Sequence, residues 1–201
     1  MIDVSVSLTR GVFMLRAEIH DEGSICLSGL NGSGKSSLLN VIAGNLKPDK
    51  GNVRVNQSDI TRLPAERRGV VLVTPDSFIP HLEIDKHLRW GARAKNVVLE
   101  EALVQETKEL LGIDFAGRVD KLSLGMRERV ALATALLSRP EVLLVDEAFS
   151  NIDERVAFMR TFGEACSGQK VDLVHTTQQK SDATISDHHY ELAAGFTTRA
   201  F

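Results

Sequence analysis

The eight residues GLNGSGKS at 29–36 constrain this chain more than any other stretch. Three glycines in eight positions suit neither a regular strand nor a regular helix, yet an apolar run over 24–27 precedes them and a helical pattern over 36–46 follows. A strand that turns through such a loop into a helix aims successive backbone N–H groups inward and adds the positive end of the helix. The spacing is G-x-x-x-x-G-K-[ST], an arrangement that cradles phosphate. Gly29, Leu30, Asn31, Gly32, Ser33, Gly34, Lys35, Ser36 and Ser37 are the candidate contacts. Lys35 is placed to bridge terminal phosphates, and Ser36 to put a hydroxyl on Mg2+. An ordinary glycine-rich turn would not need every fixed position filled between a strand and a helix.

A second motif, EVLLVDEAF at 141–149, carries Asp146 to the carboxyl end of an apolar strand, where ligands gather in parallel sheets. Asp146 suits a magnesium-side role, leaving Glu147 to polarise an attacking water. Alone, the acidic pair could be solvated or cap the next helix. With the upstream cradle it specifies a nucleoside triphosphatase. A third stretch, DKLSLGMRERVALATALL at 120–137, opens a strong helix on Ser123 and Gly125. A serine cap and a bare glycine at a helix start form an anion site with no obvious anion nearby in the chain.

Around these motifs, apolar strand-like runs alternate with helical patterns, for which a parallel sheet covered on both faces is expected. The strand patterns are DVSVSL, VFMLRAEI, SICLSG, GNVRVN, GVVLV, EVLLVD, VDLVH and HHYELAA. The helical patterns, besides the two already given, fall near 96–111 and 153–166. The first strands read as an antiparallel portion. The chain's 201 residues suffice for one well-buried domain. A net charge of −3 leaves no basic footprint for nucleic acid, and no apolar run approaches a bilayer span. Cys26 and Cys166 sit in apolar surroundings and read as buried, reduced thiols. His188 and His189 read as a surface pair, since neighbours on a strand point oppositely.

In order and spacing, the phosphate loop, LSLGM (122–126) and LLVDEAFSNID (143–153) resemble the nucleotide-binding subunit of an ATP-binding-cassette (ABC) transporter. The resemblance covers essentially the whole chain. It implies an α/β fold of the P-loop nucleoside-triphosphatase kind: a parallel sheet flanked by helices, with an N-terminal antiparallel β portion and a small helical subdomain. It further implies one domain over 1–201, a loop and helical subdomain at about 76–138, and no C-terminal regulatory domain. ATP and Mg2+ are the implied ligands. Two cassettes would pack head to tail as a homodimer, with Ser123 and Gly125 of one copy on the γ-phosphate held by the other. The same resemblance places Asp153 at that nucleotide and makes Phe13 the nearest aromatic to stack on adenine, although a core role suits Phe13 equally well. Implied partners are multi-span membrane permease subunits, docked near residues 75–82, and an extracytoplasmic solute-binding protein. The implied location is cytoplasmic, peripheral on the inner face of the membrane. The wording SDITRLPAERRGVVLV followed by FIPHL is closest to importer ATPases of the molybdate and tungstate type. A short exporter ATPase and a weakly hydrolysing, non-transport cassette acting as a nucleotide-gated clamp are the alternatives.

Several positions depart from that pattern. The family's magnesium-contacting glutamine falls at Pro75, beside Asp76, which could substitute as an acceptor. The switch histidine is displaced, so that His175 comes one or two positions early and Thr176 or Thr177 stands in its place. Either a local bulge returns His175 to the site or a threonine hydroxyl does a weaker version of its work. Leu124, Met126 and Ala148 replace a glycine, a glutamine and a proline. Slow hydrolysis is expected.

Overall fold

The computed structural model describes residues 1–201. Ten strands form one mixed sheet: β1 (Ile2–Arg10), β2 (Phe13–Asp21), β3 (Ser24–Ser28), β4 (Lys50–Val55), β5 (Ser58–Asp59), β6 (Val70–Val73), β7 (Val142–Val145), β8 (Asp172–Thr177), β9 (His188–Ala193) and β10 (Phe196–Arg199). Five α-helices cover it: α1 (Lys35–Ala43), α2 (Ile84–Ala94), α3 (Glu101–Leu110), α4 (Leu124–Leu137) and α5 (Arg155–Gly168). The sheet order is β5-β4-β1-β2-β10-β9-β3-β8-β7-β6. Strands β5, β4, β1 and β2 pair antiparallel, whereas β9, β3, β8, β7 and β6 run parallel. The expected combination of an antiparallel beginning and a parallel core is what forms.

Strand alternation divides the interior into two cores. Val142, Leu144 and Val174 join a cluster with α1 and the antiparallel strands, while Leu143, Val145 and Leu173 join one with α2, α4 and α5. Strands β6 and β7 are therefore apolar on both faces, which is why their sequences read as unbroken apolar runs. The wording ERRG at 66–69 serves α1. Buried Arg68 donates to the carbonyls of Val41 and Ile42 in the last turn of that helix and to those of Thr61 and Leu63. Both cysteines are buried free thiols whose pKa burial pushes up to about 12, so neither is a nucleophile.

The helical region differs from expectation. A helix at 84–94 was not anticipated, and the one expected over 96–111 is confined to Glu101–Leu110. Helix α2 buries Ile84, His87, Leu88 and Ala92 at helical spacing but leaves Trp90 half exposed, which obscures its apolar stripe. His87 Nε2 accepts the N–H of Ile79, and its Nδ1 lies 2.8 Å from Thr134 Oγ1 on α4. The Arg127 guanidinium of α4 covers the Phe78 ring at 5.2 Å. The loop after β6 is thus tied to α4 at two points. The histidine pair is also not a surface pair, because His189 is buried with Nε2 2.7 Å from Ser28 Oγ. No helix is long and apolar enough to cross a membrane.

Candidate nucleotide site

Strand β3 ends at Ser28 and α1 begins at Lys35, so residues 29–34 make the whole turn. Gly34 is the N-cap at φ 111°, with no side-chain cap and no acidic residue in the first turn. A Cβ there would be strained and would meet Phe13 Cζ at 2.7 Å. Only glycine lets the loop close beneath that ring. The amides of the first turn are left open to an anion. Lys35 is buried, and its Nζ donates to the carbonyls of Gly29 at 2.7 Å and Leu30 at 3.0 Å. Ser33 Oγ is buried without a partner. An orphaned hydroxyl and an ammonium folded onto its own loop fit a cradle whose ligand is a phosphate. A cleft of about 210 Å3 gathers Phe13, Asn31, Gly32, Gly34, Lys35, Ser36, Ser37 and Glu147 along its wall, so the cradle and the second acidic residue meet.

Alternation explains where the acidic pair points. Val142 and Leu144 face the α1 side of the sheet, and Asp146 continues that parity beyond the end of β7. On β8, Val174 faces the same side, and so does Thr176. The Thr176 hydroxyl donates to Asp146 Oδ1 at 2.8 Å and accepts the Glu147 N–H at 3.0 Å. Glu147 has a left-handed backbone, φ 58°, which turns the chain sharply after the strand. Its carboxylate receives one side-chain donor, Gln178 Nε2, at 3.3 Å.

His175 goes the other way. Strand β8 pairs without interruption against β3 over Leu173–Thr177 and against β7 over Asp172–His175, so no bulge shifts it. Its ring is buried edge-on to Phe149, with Nε2 2.8 Å from Ser186 Oγ and Nδ1 unpartnered. Burial lowers its pKa to about 4, against a weaker opposing pull from Asp182, and keeps the ring neutral. Of the two candidates left open by the sequence, the structure brings Thr176 to the acidic pair and not His175. Pro75 and Asp76 are exposed, and no hydrogen bond joins Asp76 to Asp146 or Glu147.

The start of α4 has employment inside its own chain. Ser123 Oγ accepts the Met126 N–H at 3.2 Å. A Cβ on Gly125 would come within 2.3 Å of the Asn151 carbonyl oxygen, so the glycine admits the loop that follows the acidic pair. Buried Glu128, one turn along α4, receives both the backbone and side-chain N–H groups of Asn151. Asp153 lies exposed just beyond. Ser123, Gly125 and Asp153 do not line the cleft around Lys35 within one copy of the chain. Sequence reasoning missed Glu128 and Gln178. Gln178 lies in a bend just past the end of β8, so strand alternation alone does not assign its face.

A glycine loop feeding an uncapped helix, with an acidic pair at the end of a parallel strand one place removed across β8, defines a P-loop nucleoside-triphosphatase fold. The ABC transporter family model matches residues 14–150, and the chain belongs to that family. It is 43% identical over 149 residues to a molybdate/tungstate import ATP-binding protein of Archaeoglobus fulgidus, a match covering 71% of this chain and 61% of that one. A protein of the same description from Pyrococcus abyssi is 34% identical over 157 residues, covering 74% of this chain and 46% of the relative. The chain thus spans about half the length of these relatives. Among solved structures, an ATP-binding subunit of an ABC transporter superposes with a TM-score of 0.79 over 99% of this chain and 90% of its own, at 22% identity. A second cassette, in its ADP conformation, superposes at 0.78 over 98% and 88%, at 20% identity.

Proposed function

We propose that the chain is the ATP-binding and ATP-hydrolysing subunit of an ABC importer for a small oxyanion, with molybdate or tungstate as first candidates. The observation that carries this reading is the meeting of Lys35 and Ser36 with Glu147 in one cleft, in a chain whose relatives are named for molybdate/tungstate import. Lys35 would exchange the Gly29 and Leu30 carbonyls for phosphate oxygens, and the Ser33 hydroxyl and α1 amides would complete the cradle. Bound Mg2+ would supply charge neutralisation at the phosphates, with the Ser36 hydroxyl and Asp146 carboxylate as its protein oxygens. Thr176 fixes Asp146 for that task. Glu147 orients the attacking water, and the Phe13 ring at the cleft edge takes the adenine.

The exposed start of α4, with Ser123 and Gly125, suits the nucleotide of a second copy in a head-to-tail homodimer, and Asp153 lies beside that surface. Permease subunits would dock near residues 75–82, and a solute-binding protein would deliver the oxyanion outside. That assembly places the chain on the inner face of the membrane, away from nucleic acid. The domain is read as 1–201 with its helical subdomain over about 76–138, in which α2 and α3 fall.

Hydrolysis is proposed to be slow. Loss of one oriented polar contact to a transition state costs about 10²–10³ in rate, and here both the glutamine position and His175 are out of place. The test is to look for multi-span membrane proteins encoded beside the chain, co-express them with it, purify any complex and measure ATPase activity with and without molybdate-loaded binding protein. Stimulated turnover supports the importer. A chain that binds Mg-ATP and dimerises but joins no membrane subunit overturns it in favour of the clamp.

A further inference from the structure

We propose that Gln178 positions Glu147 and contacts the terminal phosphate of bound ATP, taking the place that His175 leaves empty; this rests on the ATPase reading above. Four observations carry it. Gln178 Nε2 is the one side-chain donor on the Glu147 carboxylate, at 3.3 Å. Thr176 and Gln178 are two residues apart, and each reaches one member of the acidic pair, Thr176 to Asp146 and Gln178 to Glu147. Gln179 is committed elsewhere, its Oε1 receiving Arg155 Nη2 at 2.6 Å, and Thr177 Oγ1 donates to buried Asp182. Gln178 is exposed on the wall of a cleft of about 310 Å3 that also contains Glu147 and Thr176, and it makes no other side-chain hydrogen bond.

An amide is suited to this double task. One N–H holds the carboxylate, while the second N–H and the carbonyl oxygen remain for a phosphate oxygen and a water. In the reaction, the water oxygen bonds to the γ-phosphorus as the bond to the β–γ bridging oxygen breaks. ADP departs with that electron pair, and the water's proton passes to the Glu147 carboxylate. Gln178 neither gains nor loses a proton. It aligns the carboxylate and meets charge that grows on the γ-phosphate. A neutral amide also does not titrate, so the rate carries no imidazole dependence from this position.

Single-turnover hydrolysis of Mg-ATP, with separate Mg-ATP and Mg-ADP affinities, tests the assignment. Gln178→Ala is expected to lower the hydrolysis rate about 10²-fold. It should weaken ATP binding severalfold and leave ADP affinity and thermal unfolding unchanged. Gln178→His should restore at least a tenth of the wild-type rate and add a limb near pH 6.5 to the pH–rate profile, absent from wild type. Wild-type rate and ATP affinity in Gln178→Ala would overturn the role of Gln178 alone. A wild-type protein that neither binds nor hydrolyses ATP would overturn the ATPase reading, and this assignment with it.

Discussion

Helices α1 and α4 both begin with a glycine and a serine at an exposed end of the fold, and their first turns are built in opposite ways. At α1 the N-cap is Gly34, which offers the amides no side-chain acceptor, and the nearby Ser33 hydroxyl and Lys35 ammonium lack an outside partner. At α4 the cap is Ser123, which already serves Met126, and Gly125 is fitted against the Asn151 backbone. One start leaves its first turn without a cap; the other caps its own first turn, although Asp120 Oδ1 and Arg127 Nε beside it are buried without partners. A glycine at a helix start therefore signals close approach, but only its surroundings say whether a ligand or the chain's own backbone does the approaching.

Four experiments press on that contrast. Lys35→Ala should produce the largest change, a loss of about 10²-fold or more in ATP affinity, from about 1.5–3 kcal/mol per charge-assisted hydrogen bond removed. Unchanged binding by fluorescent-nucleotide titration would break the contrast at α1. Acid should then weaken the α4 side. His175 is held neutral with a pKa near 4, so below about pH 6.5 the unfolded chain takes up a proton that the folded chain refuses. Stability falls as pH drops through that window, by about 3 kcal/mol at pH 4. His87, whose pKa burial also lowers, acts in the same direction. Urea unfolding at pH 7 and pH 4.5 measures the drop, and His175→Leu should reduce it while leaving the part due to His87. Gly125→Ala must displace the Asn151 backbone and should cost about 1–3 kcal/mol of stability, with ATP affinity of the monomer intact. Wild-type stability in that variant would mean that the loop yields freely. The smallest effect is expected from Ser123→Ala, about 1 kcal/mol from the lost cap. A far larger fall in ATP-dependent dimerisation than in stability would show that the serine also serves a second copy.

The fold and the cradle were legible because their signals are local. A strand, three glycines, a lysine and a helix lie within about twenty residues, and a buried parallel strand is apolar on both faces wherever it sits. Helix α2 was not legible, since its stripe includes His87, a residue whose burial depends on Ile79 and Thr134 arriving from other elements. The choice between His175 and Thr176 was likewise beyond a single sequence. A shift of one residue inverts the face, and only pairing to β3 and β7 fixes the parity. Gln178 lies beyond that pairing, in a bend after β8, and only the three-dimensional structure brings it to Glu147. The intrachain duties of Ser123 and Gly125 were hidden for a related reason, because Glu128 and Asn151 meet only in three dimensions.

The two ties between the loop after β6 and helix α4 bear on how force crosses the molecule. Ile79 cannot retreat from His87 without stripping a buried imidazole nitrogen of its donor, a penalty of about 1–3 kcal/mol, and Phe78 cannot slide without leaving the Arg127 guanidinium. His87 is in turn bonded to Thr134, two turns further along α4. Loop and helix are thus gripped at both ends of a short arm, as a crank is keyed to its shaft. Any displacement of Phe78 would therefore have to break or carry with it a contact on Arg127, one turn from Ser123.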